Sequence, residues 1–227
     1  MLISCISCKG GVGKTSVATN LACVAAREGS VLLVDADVQR SSLYWRSIRP
    51  GDGLFGEIQV VSMPTNALHK DLPKLSAGFD VTIIDCGGKD NNVLRSSILA
   101  CGRGVVREEG GIAMMILSTS QFDLWGLTDT LDALREGRTF VDVPSCILLN
   151  NFMGRSKLAG RTLAAVSRIE DVPLLKSKLH SRIAFKIASE SGKGVVEIEP
   201  RGKASAEVNA LWRELVAFHN GLKEIKI

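Results

Sequence analysis

The sequence predicts a single α/β domain built on a mostly parallel, twisted sheet with helices on both faces. Short apolar segments rich in valine, isoleucine and leucine alternate with longer helical patterns along the chain. Strands that alternate with helices at this spacing form right-handed βαβ crossovers, which make the sheet parallel and cover both of its faces. The length of 227 residues suits one large domain, and no linker or repeat interrupts it. We therefore expect residues 1–227 to fold as one domain.

Six strands are predicted from runs of buried-type residues that end at glycine or polar side chains. In chain order these runs cover residues 2–7, 31–34, 57–63, 81–84, 112–117 and 146–149. A later run, 172–175, has the composition of a further short strand. Helical patterns occupy the gaps, over residues 15–28, 66–75, 92–101, 123–136, 156–168 and 182–189, and a last helix covers 205–222.

The composition is typical of a protein of the reducing cytoplasm. Hydrophobic residues make up 45% and charged residues 23%, so wholesale disorder is not expected. Six cysteines are too few for a disulfide scaffold in a chain of this size. The first residues lack the pattern of a secretory signal, and no apolar run reaches the ~18 residues that a membrane-spanning helix needs. The last helix is expected to pack on the sheet, because Arg213 and Lys223 supply too few basic residues for a membrane-seeking helix.

A glycine-rich loop between the first strand and the first helix carries the strongest functional signal. Its glycines allow backbone N–H groups to turn inward around phosphate oxygens, and the helix N-terminus adds a partial positive charge. The side chain of Lys14 can reach the β- and γ-phosphates of a nucleotide, and the Thr15 hydroxyl can ligate Mg²⁺. The predicted phosphate-binding residues are Gly10, Gly11, Val12, Gly13, Lys14, Thr15 and Ser16.

The loop departs from the general phosphate-loop pattern in one respect. Cys8 stands where that pattern has its first glycine, and a second lysine, Lys9, opens the loop. The form Lys-Gly-Gly-x-Gly-Lys-Thr-Ser resembles the deviant Walker A box of the ParA/MinD group of P-loop ATPases. The resemblance implies ATP and Mg²⁺ as ligands and a homodimer that forms on ATP binding. It also implies that Lys9 reaches across this dimer to the nucleotide of the partner, and that Lys9 and Lys14 both act in catalysis.

Two buried strands end at acidic residues that support the assignment. Asp35 and Asp37 lie in a segment that resembles the second acidic box of the family, Asp-x-Asp-Pro-Gln, with Val38 in place of the proline. By resemblance, Asp37 positions or activates the attacking water, and Asp35 supports the Mg²⁺ and loop region. Asp85 resembles the Walker B acid, which holds Mg²⁺ through water. All three acids follow the carboxyl ends of strands, where open α/β sheets bind ligands.

Weaker matches extend the resemblance over most of the chain. Asn150 ends a strand where the family often places an asparagine that contacts adenine. Segments 120–126, 182–185, 194–197 and 203–204 also resemble short ParA proteins. Because no DNA-binding segment precedes the loop, the small ParA type is expected. The resemblance implies an ATPase that binds DNA without sequence specificity and partitions plasmid or chromosomal DNA, with a ParB-like or small centromere-binding adaptor that stimulates hydrolysis. The resemblance further implies that the protein associates with the nucleoid and forms no stable association with a membrane.

Net charge gives a candidate for the DNA contact. The chain carries a formal charge of +4, and residues 151–203 hold 11 basic and 5 acidic side chains. Such an excess fits a polyanion-binding patch, although a solvated surface has the same composition. The candidate contacts are Arg155, Lys157, Arg161, Lys176, Lys178, Arg182 and Lys186.

Two departures from the family keep other functions open. Segment 86–89 lacks the usual prolines after the Walker B acid, and segment 101–111 is longer and more polar than usual; both are expected near the nucleotide or the dimer face. A MinD-like membrane-cycling ATPase, a cargo-positioning ATPase and a non-enzymatic nucleotide-dependent scaffold are the alternatives. Cys86 and Cys101 also suggest an iron–sulfur electron-transfer ATPase, and Cys8 with Cys86 a redox-sensitive pair beside the nucleotide.

Overall fold

The computed structural model describes residues 1–51, 56–88, 91–154 and 156–224, and for residues 91 and 121–125 it describes the backbone alone. Seven parallel strands form one sheet in the order β3-β2-β4-β1-β5-β6-β7. The strands are β1 Leu2–Ile6, β2 Val31–Ala36, β3 Ile58–Ser62, β4 Val81–Cys86, β5 Ile112–Ser118, β6 Ser145–Phe152 and β7 Leu174–His180. The predicted parallel α/β fold is therefore confirmed.

Helices cover both faces of the sheet. Their bounds are α1 Lys14–Ala25, α2 Ser41–Ser47, α3 Leu68–Ser76, α4 Asn91–Ala100, α5 Gln121–Arg138, α6 Lys157–Val166, α7 Ile183–Glu190, α8 Val195–Ile198 and α9 Lys203–Glu224. Helices α1, α7, α8 and α9 bury their apolar side chains in one cluster, and α3 to α6 bury theirs in a second cluster on the opposite face. Among the helices that the structure describes, none combines the length and apolar character needed to cross a bilayer.

The central strands explain where the site lies. β1 pairs with β4 on one side and with β5 on the other, and β2 pairs with β4. All strands run in the same direction, so the segments that follow β1, β2 and β4 meet at one edge of the sheet. The glycine-rich loop and the acidic residues are therefore brought together by topology.

Segment 101–111 lies at the other edge, which corrects the expected placement near the nucleotide. It leads into the amino end of β5, and Gly111 donates a backbone hydrogen bond to the Cys101 carbonyl at 2.8 Å. The Arg103 side chain donates to Asp142 and to the Leu222 carbonyl, and Arg107 donates to two carbonyls at the end of α3. Since the phosphate loop follows the carboxyl end of β1, this segment supports the opposite edge of the sheet.

Helix α9 packs against β7, the outer strand of the sheet, and binds its backbone. Glu214 accepts backbone hydrogen bonds from Lys176 and Ser177, at 2.7 and 2.8 Å, and Glu207 accepts one from His180 at 3.0 Å. An edge strand has no neighbouring strand to accept its outward N–H groups, and these two carboxylates serve as acceptors for three of the β7 N–H groups.

Candidate functional site

The loop between β1 and α1 has the conformation of a phosphate cradle. Gly11 and Gly13 have φ angles of 83° and 90°, in the left-handed region that glycine alone adopts without strain. A side chain at Gly13 would also collide with the amide of Asn150, whose Nδ2 donates to the Val12 carbonyl at 2.7 Å. Gly13 precedes α1 and leaves the helix N-terminus without a side-chain cap, so its N–H groups remain for an anion.

Lys14 is held inside this loop. Its side chain is buried, and Nζ donates to the Lys9 carbonyl at 2.9 Å. Gly88 lies close to both the ammonium and the loop: a Cβ built on Gly88 would sit 3.1 Å from Lys14 Nζ and 3.1 Å from the Gly10 nitrogen. Thus the ammonium already points at an oxygen acceptor enclosed by the loop, which is the kind of partner that a phosphate supplies.

Lys9 lies at the rim of the loop and is partly exposed. Its stem faces α5, because a Cβ on Gly126 would come within 3.1 Å of the Lys9 Cβ. The preceding residue, Cys8, donates its backbone N–H to Thr130 Oγ1 of the same helix at 3.0 Å. The reach of Lys9 into a partner subunit stays a prediction.

Asp35 and Asp85 are direct neighbours on adjacent strands. Both oxygens of the buried Asp35 carboxylate accept backbone N–H groups, from Asp37 at 3.1 Å and from Leu43 at 2.9 Å. Burial raises the pKa of Asp35, and these backbone hydrogen bonds oppose the shift. The structure therefore shows Asp35 supporting the loop that carries Asp37, while its part in holding Mg²⁺ stays a prediction.

Asp85 has a different environment. Ser42 Oγ donates to Asp85 Oδ2 at 2.7 Å, but Oδ1 is buried with no hydrogen-bond partner among the described residues. Burial raises the pKa of Asp85 to about 7, although the hydroxyls of Ser42 and Thr15 and the charge of Lys14 lower it. A buried, unsatisfied carboxylate oxygen is costly unless a cation or its water shell takes it up.

Asp37 lines a cleft of about 640 Å³ that also contains the glycines of the loop. Its Oδ1 accepts the backbone N–H of Gln39 at 3.0 Å, which fixes the side chain at the mouth of the cleft. The remaining lining residues come from the loop, the start of α2 and the segments around β4 and α4: Gly10, Gly11, Gly13, Lys14, Thr15, Ala36, Val38, Gln39, Ser41, Gly87, Gly88 and Val93.

This cleft fits a nucleotide with a divalent cation. Cβ atoms built on Gly10 and Gly11 would meet nothing within 4 Å, so open space lies above the loop. The hydroxyl of Thr15 and the unpartnered Oδ1 of Asp85 are hard oxygen donors of the kind that Mg²⁺ prefers. Lys14 adds the positive charge that the phosphates require.

Two of the predicted site residues make contacts that the sequence did not predict. Asn150 is buried beneath the loop, where it holds Val12 and Gly13, and its contact with adenine stays a prediction. Ser16 lies on the first turn of α1, where its carbonyl accepts a hydrogen bond from Asn20. Ser42 could not be predicted from the sequence, since no motif marks a residue that contacts Asp85 only through the fold.

The cysteine arrangement does not favour the iron–sulfur alternative. Cys86 and Cys101 are both buried in the second apolar cluster, and burial raises the pKa of the Cys86 thiol to about 12. Cys86 also accepts a hydrogen bond from Ser97. A cluster ligand must be a thiolate that can be reached from a partner subunit, and neither residue meets that condition.

The candidate DNA-binding residues are spread around the β7 edge. Lys157 and Arg161 are exposed on α6, on one face of the sheet, whereas the exposed Lys186 lies on α7, on the opposite face. Lys176 is exposed on β7 itself. Two further candidates already have partners: Lys178 lies 5.0 Å from the centre of the Phe152 ring, and Arg182 is paired with Glu207. Arg155 lies outside the described residues.

Known proteins are similar to this chain in sequence or in fold. Maintenance of carboxysome distribution protein A from Halothiobacillus neapolitanus is 23% identical over 210 residues, which cover 92% of this chain and 93% of that protein. Among solved structures, apo McdA of Cyanothece has a TM-score of 0.77 at 16% identity and covers 94% of this chain and 98% of its own. The septum site-determining protein MinD of Pyrococcus horikoshii, solved with Mg-ADP, has a TM-score of 0.71 at 22% identity over 94% of this chain and 95% of its own.

A family model confirms the resemblance that the loop and the acidic boxes suggest. The model described as the CobQ/CobB/MinD/ParA nucleotide-binding domain matches residues 3–195. Because this match spans most of the chain, including the loop and all three acids, the protein belongs to the CobQ/CobB/MinD/ParA family of nucleotide-binding proteins.

Proposed function

We propose that this protein is an Mg²⁺-dependent ATPase that positions a large protein cargo along DNA. The observation that carries the proposal is the similarity to the carboxysome distribution protein over nearly the full length of both chains. This similarity favours the cargo-positioning alternative over the partitioning of plasmid or chromosomal DNA, which was the main expectation from the sequence.

The cleft and the residues around it divide the chemistry among them. Lys14 and the N–H groups of the loop bind the β- and γ-phosphates, and Thr15 and the buried Asp85 would hold the cation. Mg²⁺ at this position would neutralise phosphate charge as it develops during phosphoryl transfer. Asp37, at the mouth of the cleft, orients the attacking water, and Lys9 of one subunit completes the site of the other after ATP-induced dimerisation.

The ATPase binds DNA, and the DNA is the surface along which the cargo is positioned. Four of the candidate basic residues are exposed: Lys157 and Arg161 on one face of the sheet, Lys176 on β7, and Lys186 on the opposite face. An ATP-bound dimer doubles the number of these residues, so affinity for phosphates rises when ATP is bound and falls after hydrolysis. A cargo-bound adaptor protein that stimulates hydrolysis would then release the ATPase locally and leave it associated with the nucleoid elsewhere.

An imaging experiment separates the two positioning functions. Cells that express either the wild type or Lys14→Ala are scored for the spacing of protein-enclosed compartments and for retention of a low-copy plasmid. We expect compartments to cluster in the Lys14→Ala cells while plasmid retention is unchanged. Plasmid loss with evenly spaced compartments would instead support partition.

A binding experiment tests the interaction with DNA. Fluorescence anisotropy on two unrelated duplexes, with ATP, with ADP and without nucleotide, should show ATP-dependent binding of equal strength to both duplexes. Affinity should fall with salt at a slope of about −0.9 per neutralised phosphate, and Lys186→Ala should reduce this slope by about one. Binding without ATP, or ATP-dependent sedimentation with liposomes in place of DNA binding, would contradict the proposal.

A further inference from the structure

Ser42 is a buried polar residue at the site to which the proposed function assigns no role. It lies in the first turn of α2 and is fully buried. Its hydroxyl donates to Asp85 Oδ2 at 2.7 Å, although the two residues are 43 positions apart in the chain. Neither the phosphate loop nor the two acidic motifs include this serine, so only the fold reveals the contact.

The same turn of α2 also binds the second acid. Leu43, the next residue, donates its backbone N–H to Asp35 Oδ2 at 2.9 Å, and Asp37 donates to Asp35 Oδ1 at 3.1 Å. Asp35 and Asp85 are register partners on β2 and β4. Two consecutive residues thus attach α2 to both acids, and the short segment between Asp35 and α2 carries Asp37. The orientation of Asp85 and the position of Asp37 are therefore linked through α2.

The Ser42 hydrogen bond also distinguishes the two oxygens of Asp85. Oδ2 accepts the hydrogen bond of the Ser42 hydroxyl, whereas Oδ1 is buried and has no hydrogen-bond partner among the described residues. The Thr15 hydroxyl, which also lowers the pKa of Asp85, is the second hydroxyl beside this carboxylate. The bond from Ser42 fixes the rotation of the carboxylate about its Cβ–Cγ axis, and a charged acceptor makes it stronger than an ordinary hydrogen bond. One defined oxygen is left for a cation or for a water molecule bound to it.

We propose that Ser42 is a positioning residue for the metal site. Its hydroxyl fixes Asp85 so that Oδ1 alone is available to the hydrated cation, and it links cation binding to the segment that carries Asp37. The inference rests on the proposed function, because it requires Mg²⁺ and a nucleotide in the cleft. Ser42 thereby becomes part of the cation site, and the hydrogen bonds of Ser42 and Leu43 connect this site with the segment that carries Asp37.

The test measures how nucleotide binding depends on Mg²⁺. An ATP analogue with a methylanthraniloyl fluorophore is titrated with the protein in EDTA and at increasing Mg²⁺ concentrations. We expect Ser42→Ala and Ser42→Gly to raise the Mg²⁺ concentration for half-maximal enhancement of binding about tenfold, the order expected for a lost hydrogen bond to a charged group. Affinity in EDTA should stay within about twofold of the wild type, and Ser42→Thr, which keeps the hydroxyl, should restore the Mg²⁺ dependence.

Ser76→Ala is the matched control, because Ser76 is similarly buried and its hydroxyl donates to the Pro73 carbonyl on α3, not to an acid of the site. A general loss of structure would lower the affinity in EDTA as well, so the EDTA titration separates it from a defect confined to the cation site. An unchanged Mg²⁺ dependence in both removal variants, or an equal loss of affinity in EDTA, would overturn the inference. If the wild type itself bound the analogue no better with Mg²⁺ than in EDTA, the proposed function would fail as well.

Discussion

Arg49 and Glu197 form a two-bonded ion pair that joins the end of α2 to α8. Arg49 Nη2 lies 2.7 Å from Glu197 Oε1 and Nη1 lies 2.9 Å from Oε2, and the two side chains are only 2% and 9% exposed. Nearby, Trp45 of α2 donates its indole N–H to the Lys193 carbonyl at 3.3 Å. Helix α2 is thus held at its start by Asp35 and Asp85 and at its end by α8 and the segment that precedes it.

Breaking this pair should cost more stability than breaking an exposed one. Arg49→Met leaves the Glu197 charge buried without its partner, so we expect the free energy of unfolding to fall by about 3–5 kcal/mol. Arg95→Met, which breaks the half-exposed pair with Glu136, should lower it by about 1 kcal/mol or less. Urea denaturation of the two variants checks this. Similar losses for both would show that the buried pair contributes little to the attachment of α2.

The two loop lysines should have separable roles. Lys14→Ala removes the charge enclosed by the loop, so tight ATP binding should be lost. Lys9→Ala should bind ATP as a monomer but should neither dimerise nor hydrolyse it. Light scattering with a non-hydrolysable ATP analogue measures dimerisation, and Lys70→Ala, an exposed lysine on α3, is the control. Normal dimerisation and turnover of Lys9→Ala would contradict the predicted reach into the partner subunit.

Asp37→Ala should separate ATP binding from hydrolysis. The carboxylate lines the cleft and accepts its hydrogen bond from Gln39, outside the phosphate loop, so ATP binding and dimerisation should persist. Loss of a group that positions the attacking water should slow hydrolysis by about 10²–10⁴-fold. Phosphate release and DNA anisotropy on the same sample should show slow turnover and prolonged DNA binding. Loss of nucleotide binding would instead assign Asp37 to the cation or to the loop structure.

The sequence predicted the parts of the fold that depend on local pattern and missed those that depend on distant contacts. The buried strands and the glycine-rich loop between β1 and α1 are confirmed, because continuous apolar runs and the glycine spacing determine them locally. Helix α2 was missed: its start is held by Asp35 and Asp85, and its short sequence has little periodicity of its own. The edge strand β7 was predicted too short, because its polar second half is stabilised by α9.

Segment 101–111 was misplaced for a different reason. Its glycines and charges resemble those of a ligand-binding loop, and composition alone does not reveal the edge of a sheet to which a loop belongs. The order of elements does, since a segment that precedes a parallel strand lies at the amino edge. At the site, the motif residues were predicted, whereas Ser42 and the supporting position of Asn150 depend on contacts across the fold.

His219 should make the protein less stable in mild acid. Its side chain is 5% exposed, and burial lowers the pKa of the imidazole from 6.5 to about 4. The positive charges of the Met1 amino terminus, Lys223 and Arg107 lower this pKa further, whereas the negative charge of Glu109 raises it. The unfolded chain therefore binds a proton between pH 6.5 and 4 that the folded chain does not, so stability falls as the pH falls through this range. The maximum effect is about 3 kcal/mol, from about 1.4 kcal/mol per pKa unit.

Urea denaturation at neutral pH and at a pH near 5 measures this dependence. His219→Gln cannot take up a proton, so its loss of stability between the two conditions should be smaller than that of the wild type. An equal loss in both proteins would show that other groups cause the acid sensitivity, in particular the carboxylates whose pKa values are lowered in the folded state, such as Glu207 and Glu214.

Glu214 should keep the β7 edge from pairing with other chains. Its two oxygens accept the backbone N–H groups of Lys176 and Ser177, and these hydrogen bonds help to lower the pKa of the carboxyl. Glu214→Ala leaves both N–H groups without this acceptor and exposes an edge that can add another strand. We expect the free energy of unfolding to fall by about 2 kcal/mol, from two lost hydrogen bonds to a charged acceptor, and association to increase with protein concentration.

Denaturation and analytical ultracentrifugation without nucleotide would measure the two effects, with Glu190→Ala, an exposed glutamate on α7, as the control. A monomeric Glu214→Ala variant of unchanged stability would show that α9 protects the edge by covering it, without help from these hydrogen bonds.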